Sequence, residues 1–208
     1  MLEQSSNSIS KLTSIERKRV LRALILIRTA MAKDIPNSFQ GIVEVDETYI
    51  GGKWKNKRKP QRDRGTKRGR GTSKQPIFGI YCRNGTVWAG LVDDVNARTL
   101  QTIISYNVKK KSKVYSDTWK GYIGLNRKGY QHACVNHLDG EYVCGKDVHI
   151  NGMEGFWGYL KRKLVSKGGI RRERLWMYLA EYVWRYNHRK LNSNQQINRL
   201  LFLLHNGG

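Results

Sequence analysis

Three carboxylates in this very basic chain stand where they could do chemistry: Asp46, Asp117 and Glu154. Asp46 ends a predicted strand, Asp117 ends another and Glu154 opens a predicted helix, so all three can meet at one edge of a sheet. Carboxylate oxygens alone suit Mg²⁺ or Mn²⁺. Two such ions about 3.5–4 Å apart can activate an attacking oxygen and stabilise a leaving one in phosphoryl transfer. The alternative is that all three are ordinary solvated surface groups.

The helix that begins near Glu154 adds a second feature. Glu154 and Lys161 lie two turns apart on one face, with Gly158 between them. This spacing holds a metal-binding carboxylate in line with a cation that could contact phosphate. A glycine inside a helix lowers its stability, and a close approach of DNA would explain one here. Apolar residues form the adjacent face: Phe156, Leu160 and Leu164. The alternative is therefore an ordinary amphipathic helix.

Sheet and helix patterns surround these residues. Alternating β-branched residues predict a strand over 41–47, and Asn84-Gly85 predicts a hairpin of strands 77–82 and 87–92. Further patterns predict a helix, a strand and two long helices, over 97–106, 113–116, 153–165 and 172–188. A capping box at Thr13–Glu16 predicts an N-terminal helix that runs to about Ala32. This order predicts a mixed α/β sheet flanked by helices.

The charge of the chain predicts its partner. The 208 residues include 39 Lys and Arg against 16 Asp and Glu, a net charge of +23. Ordinary domains need a net charge of only about 2–8 for solubility. We therefore expect nucleic acid, whose phosphates neutralise such a surplus, with an acidic membrane surface as the weaker alternative. Eleven of the basic residues lie between Lys53 and Lys74, in an insertion at 53–75 that could hold a phosphate backbone or be disordered without a role.

Membrane-spanning and secreted classes are disfavoured. No apolar stretch approaches the roughly 18–20 residues of a membrane span. The three cysteines lack CxxC spacing, which predicts an intracellular, reduced protein. A zinc site would need the set Cys134, His137, Cys144 and His149, whose spacing matches no standard structural site. We expect the two histidines to lie near the carboxylates as hydrogen-bond partners or DNA contacts.

Other acidic residues have plainer interpretations. Glu44 shares a strand face with Asp46 and could assist a metal site or merely line it. Asp94 or Asn96 is expected to cap the helix that follows. In the last long helix, Glu181, Arg185 and Arg189 form a polar stripe. That stripe is either a surface ion-pair ladder or a place where the arginines hold DNA.

Five segments between residues 43 and 189 carry a family resemblance: Val43–Gly52, Val114–Asp117 with Gly121-Tyr122, His149–Trp157, Leu160–Arg162 and Tyr178–Arg189. Together, and in this order, they resemble the DDE transposases of bacterial insertion sequences, specifically the ISXO-type group. The resemblance implies a ribonuclease-H-like catalytic domain. The chain would then comprise a basic N-terminal helical segment (1–40), the catalytic domain (41–190) and a C-terminal tail (191–208).

The resemblance also implies roles for particular residues. Asp46, Asp117 and Glu154 would be the catalytic, metal-binding triad, using Mg²⁺ or Mn²⁺, as two ions, to cut DNA at transposon ends. The freed 3′-hydroxyl would then attack target DNA, within a homo-oligomer assembled on the DNA. Some relatives use Asn in place of the third acid, which makes Asn151 the alternative to Glu154. The residues expected to contact DNA are Lys161, Arg162, Arg185, Arg189, Asn151 and His149.

One departure from the family leaves two rival hypotheses open. Relatives commonly carry a zinc ribbon and a helix-turn-helix module ahead of this domain, whereas only the basic helix of residues 14–32 precedes the first strand here. We therefore expect either a truncated copy or recognition of the ends by other parts. The rivals are a basic DNA-binding protein without activity, including a decayed transposase, and a ribonuclease-H-like nuclease that cleaves without joining.

Overall fold

The computed structural model describes residues 4–51, 59, 74–135, 148–167 and 169–206. The chain forms two compact units, one of residues 36–170 and the other of residues 1–35 with 171–208. Most of the basic insertion predicted at 53–75 lies outside the described residues, as do His137 and Cys144 of the candidate zinc set. Each unit is described by itself.

A five-stranded mixed sheet organises the unit of residues 36–170. Its strands are β1 (Ile42–Ile50), β2 (Gln75–Cys82), β3 (Val87–Leu91), β4 (Lys113–Asp117) and β5 (Gln131–Val135). The order across the sheet is β3-β2-β1-β4-β5. The first three strands pair antiparallel, whereas β4 is parallel to both β1 and β5. The predicted mixed α/β sheet is confirmed.

Two details of this sheet differ from the sequence prediction. Asp46 lies in the middle of β1 and not at its end, because β2 continues to pair with β1 as far as Ile50. The fifth strand falls in a stretch rich in Gly, His and Asn that gave no strand signal, and it pairs with β4 at the edge of the sheet. In both cases pairing with a neighbouring strand extends the sheet, although the local sequence has only a weak strand propensity.

Helices cover both faces of the sheet: α3 (Ala97–Asn107) on one and α4 (Asn151–Val165) on the other. The face toward α3 is apolar, and its buried residues form one core: Val43, Val45, Phe78 and Ile80 with Leu100 and Ile104 of the helix. The N-terminus of α3 is capped as expected. Asn96 accepts the Thr99 N–H at 2.8 Å and Asp94 accepts the Asn96 N–H at 3.0 Å.

The opposite face carries polar residues and packs closely against α4. Asp46 on β1 is paired with Gly79 on β2. A Cβ at position 79 would lie 2.4 Å from Met153 Cε and 2.7 Å from the Trp157 ring, both on α4. Gly79 therefore lets the helix approach the sheet at the level of Asp46.

Four helices form the other unit: α1 (Ser6–Thr13), α2 (Arg17–Lys33), α5 (Leu175–Asn187) and α6 (Ser193–Asn206). Met31, Trp184 and Leu200 make a common core. The predicted capping box at Thr13–Glu16 is wrong, because Thr13 ends α1 and the left-handed Ser14 (φ 57°) separates it from α2. No helix in the described part of the chain combines the length and apolar character needed to cross a membrane.

The boundary of this unit differs from the expected domain limit at residue 190. Residues 171–190 belong to the unit that contains α2. The physical reason lies in contacts between α2 and α5, because Arg28 donates to Glu181 at 2.8 Å and stacks on Tyr178 at 4.1 Å. Residues 193–206, expected as a tail, form α6, where Arg199 donates to Asp34 at the end of α2.

The close packing at Gly79 gives a stability prediction. We expect Gly79→Ala to lower the free energy of unfolding by about 1–3 kcal/mol, because the added methyl overpacks the contact with the rigid Trp157 ring. Gly155→Ala is the matched control, since a Cβ there meets nothing within 4 Å. On an exposed helix position it should raise stability by about 0.5–1 kcal/mol. Urea unfolding measures both, and equal effects in the two variants would contradict the packing argument.

Candidate active site

Asp46 and Asp117 lie level with each other on neighbouring strands. Val43 pairs with Val114 and Glu44 with Tyr115 in the parallel register of β1 and β4. Two residues further along, the same register brings Asp46 beside Asp117. Because side chains alternate along a strand, both carboxylates belong to the face covered by α4. The structure therefore brings together two of the three predicted acids.

The surroundings of Asp46 disfavour its charged form. Burial raises the pKa of Asp46 to about 7, and the neighbouring carboxylates of Glu47 and Asp117 add to the shift. The Trp157 indole N–H donates to Asp46 Oδ2 at 3.0 Å, which opposes the rise without cancelling it. A carboxyl group crowded by other carboxylates is the kind of site that a cation would stabilise.

Glu47 points to the opposite face of β1, where Tyr122 holds it. The Tyr122 hydroxyl donates to Glu47 Oε2 at 2.6 Å. Burial and the nearby Glu47 carboxylate raise the pKa of Tyr122 well above its ordinary value, so the phenol stays protonated as a donor. Sequence reasoning assigned no role to either residue. The available signal was their place in the motifs around Asp46 and Gly121-Tyr122.

Glu44 is the second acid that lies beneath α4, and it is fully buried. Its Oε2 accepts the backbone N–H of Met153, in the first turn of α4, at 2.9 Å. Its Oε1 accepts from Arg83 Nε at 3.2 Å. The sequence left open whether Glu44 assists a metal or lines the site. In the structure it binds the start of the helix.

Glu154 lies in the first turn of α4 and is exposed. Trp157, which donates a hydrogen bond to Asp46, lies one turn after it. Among the residues that the structure describes, no group of three His, Cys, Asp or Glu side chains is placed to hold a metal ion. The helix that carries Glu154 is thus docked at Asp46, but the three predicted carboxylates do not form a closed ligand cluster.

The residues predicted to contact DNA from the same unit lie on or just before α4. Lys161 and Arg162 are exposed on its surface, and Asn151 is its first, exposed residue. His149 is half-buried beside the site, with Nδ1 3.6 Å from Glu44 Oε1 and its carbonyl accepting from Arg83 at 3.3 Å. Lys161 and Arg162 thus lie on the same helix as Glu154, and Asn151 and His149 lie at its start.

The polar stripe of α5 is different from the predicted surface ladder. Glu181 is buried and is shared by two arginines, Arg28 of α2 at 2.8 Å and Arg185 at 2.9 Å. Burial alone would raise the pKa of Glu181, but Arg185 and Arg28 outweigh it and hold that pKa below its ordinary value. The predicted ion pair of Glu181 and Arg185 is therefore present, but it is not on the surface, and the contact between Glu181 and Arg28 also joins α5 to α2. Arg189 stacks on Tyr186 at 4.1 Å.

Comparison with known proteins gives a consistent set of matches. Residues 38–187 match the ISXO2-like transposase domain family. A transposase-like protein of Haemophilus influenzae is 34% identical over 111 residues, which is 53% of this chain and 89% of that protein. A protein in transposable element ISH50 of Halobacterium salinarum is 32% identical over 165 residues, 74% of this chain, and the match spans only 55% of that protein's length.

Among solved structures, the catalytic core domain of BIV integrase aligns with 74% of this chain and 88% of its own length. The alignment has a TM-score of 0.42 and 14% sequence identity.

The raised pKa of Asp46 predicts how stability changes with pH in metal-free protein. Its folded-state pKa, about 7, exceeds the ordinary value of 3.8. The stabilising effect of the bound proton is therefore complete below the lower value and is lost as the pH rises through 7. We expect the stability gain of Asp46→Asn over wild type to grow by about 1–3 kcal/mol between about pH 5 and about pH 8.

Urea unfolding in the presence of a chelator measures this change. Asp94→Asn is the control, because the Asn96 N–H and Thr99 lower the pKa of Asp94. Its effect should stay constant over the same pH range. A difference between Asp46→Asn and wild type that does not change with pH would contradict the assignment.

Proposed function

We propose that this chain, which belongs to the ISXO2-like transposase family, cuts DNA at insertion-sequence ends and joins the freed 3′-hydroxyl to target DNA with the help of divalent metal. The observation that carries the proposal is the level pair of Asp46 and Asp117 on the face beneath α4. A transposase of this family and a carboxylate pair on its sheet are together the expected setting for phosphoryl transfer.

The donor chemistry of the site fits a hard divalent cation. Asp46 is partly buried beside other carboxylates and has its pKa raised to about 7, and a nearby positive charge would relieve this repulsion. We propose that Asp46 and Asp117 hold Mg²⁺ or Mn²⁺, with Glu154 as the third ligand from α4. When bound, two such ions supply charge stabilisation at the attacking and leaving oxygens.

The protein's own residues prepare this site. The Trp157 indole and the Glu47 backbone N–H both donate hydrogen bonds to the Asp46 carboxylate, which fixes its orientation. Tyr122 holds Glu47 on the far side of the strand, so that its carboxylate is kept out of the pair on the α4 face. Asp46 must give up its proton to accept a cation, which its pKa near 7 allows in neutral solution.

DNA is the proposed partner, as transposon ends and as target. The net charge of +23 and the exposed Lys161 and Arg162 on the helix that carries Glu154 support phosphate contacts beside the carboxylates. Asn151 and His149 would contact the strand at the start of α4. Arg185 and Arg189 are also proposed to contact DNA, Arg185 only through donors that Glu181 does not occupy. A homo-oligomer on the DNA would join two ends to one target.

Nicking of supercoiled plasmid in Mn²⁺ tests the chemistry. We expect Asp46→Asn, Asp117→Asn and Glu154→Gln each to lower the nicking rate on the order of a hundredfold or more, because each removes a charge that stabilises the bound cation. Asp94→Asn is the matched control, since it changes an exposed carboxylate that caps α3. Wild-type rates in all variants would reject the triad.

Strand joining separates a transposase from a simple nuclease. Wild-type protein given a pre-cut transposon end should join its 3′-hydroxyl to a plasmid in Mn²⁺. Nicking without joining would favour the nuclease hypothesis, and salt-sensitive binding without either reaction would favour a DNA-binding protein that has lost activity.

The exposed cation of α4 gives a separate binding prediction. Lys161→Ala should reduce the slope of log affinity against log salt by about one, because one phosphate contact is lost, without a change in stability. Lys113→Ala is the control, since Lys113 is also exposed but lies at the opposite end of β4 from Asp117. Fluorescence anisotropy over a salt series measures both. An unchanged slope in Lys161→Ala would remove Lys161 from the interface.

A further inference from the structure

Glu44 is a buried acid for which the proposed metal site has no use. Its relative exposure is 0%, whereas acidic residues are rarely buried unless they are paired. It lies on the same strand face as Asp46, two residues earlier in β1, where it is paired with Tyr115 of β4. A carboxylate in such a place needs hydrogen-bond donors, and their identity indicates what it does.

Both oxygens of Glu44 accept hydrogen bonds from segments that meet at the start of α4. Oε2 accepts the Met153 backbone N–H at 2.9 Å, and Oε1 accepts from Arg83 Nε at 3.2 Å. Arg83 also donates through Nη2 to the His149 carbonyl at 3.3 Å, and its guanidinium lies 4.9 Å from the Tyr115 ring centre. Glu44 and Arg83 thus fix the chain on both sides of the first residue of α4.

The start of α4 depends on this contact, because the helix has no side-chain cap of its own. Ile150 occupies the N-cap position and supplies no acceptor. A negative charge at a helix N-terminus satisfies unpaired N–H groups and interacts well with the helix dipole. Gly152 permits the approach, since a Cβ there would lie 2.3 Å from the Tyr81 ring.

Glu154 lies between two anchors of α4 on the sheet. Met153, directly before it, is bound by Glu44, and Trp157, one turn later, is bound by Asp46. The first anchor sets the axial position and rotation of the turn that carries Glu154. Without it, this turn would lose one of its two described hydrogen bonds to acids of β1, and the bond from Trp157 would remain.

We propose that Glu44, paired with Arg83, is a positioning residue that caps α4 from the sheet and thereby sets where Glu154 meets the metal. This inference rests on the proposed function for the role of Glu154, whereas the cap itself is independent of it. Glu44 touches neither metal nor DNA in this account. Its effect is transmitted through the backbone of Met153.

Glu44→Gln is the test variant, because it keeps the size of the side chain. The new amide has one oxygen and one NH₂ group. We expect its oxygen to accept from the charged Arg83, the stronger donor, which sets the NH₂ group against the Met153 N–H. We expect the amide of Met153 to exchange hydrogen at least about tenfold faster, as measured by NMR. Mn²⁺ affinity by calorimetry and kcat for nicking should each fall by about 10–100-fold, with little change in KM for DNA.

Two further variants separate positioning from general loss of stability. Asn96→Ala removes the cap of α3, on the other face of the sheet, and should leave Mn²⁺ affinity and Met153 exchange within about twofold of wild type. In the double variant E44Q/R83M, Arg83 no longer competes for the amide oxygen, which can then accept the Met153 N–H. We expect exchange at Met153 and Mn²⁺ affinity to recover most of the way, although one more contact has been removed.

Three results would overturn the proposal. The first is that Glu44→Gln has the same hydrogen exchange at the Met153 amide and the same Mn²⁺ affinity as the wild type. The second is an equal loss of Mn²⁺ affinity in Asn96→Ala. The third is faster exchange at Met153 with unchanged Mn²⁺ affinity. If wild-type protein binds no Mn²⁺ and does not nick, while exchange at Met153 still rises in Glu44→Gln and recovers in the double variant, the proposed function fails and the cap is supported.

Discussion

The packing of α4 onto a strand face that carries acids is the constraint on which the rest of the site depends. Packing α4 over Glu44 and Asp46 buries the first completely and the second partly, which is costly unless donors replace the lost solvent. The helix provides them, through the Met153 N–H and the Trp157 indole. Gly79 makes room for this contact. The acids and the helix therefore hold each other in place, and Glu154 follows from the position of the helix.

Three acids that the described structure withdraws wholly or partly from water fall into two chemical groups. Glu181 has two arginines, which lower its pKa despite burial, and Glu44 has Arg83 and a helix N-terminus. Both acids are thus paired with positive or N–H donors, and these contacts are structural. Asp46 differs because its nearest charges are other carboxylates and its pKa is raised. An acid in such surroundings has no structural advantage there, and the proposed metal site gives it a role.

The sequence was sufficient to predict that Asp46 and Asp117 meet on the sheet, because strand patterns and family motifs both mark them, and the register of β1 and β4 brings them level. It also predicted α4 within two residues of its start. The role of Glu44 could not be predicted, since its partners Met153 and Arg83 are distant in the chain and only the fold brings them together. For the same reason the burial of Glu181 was missed, because the arginine that covers it comes from α2.

The most direct test of the whole account is where a divalent ion binds. Crystals soaked in Mn²⁺ would locate the ion by anomalous scattering. The account predicts a peak whose protein ligands are carboxylate oxygens of Asp46 and Asp117, completed by Glu154 from the first turn of α4. A peak at another group of acids, or one at Asp46 and Asp117 with Glu154 directed into solvent, would contradict the claim that docking of α4 builds the site.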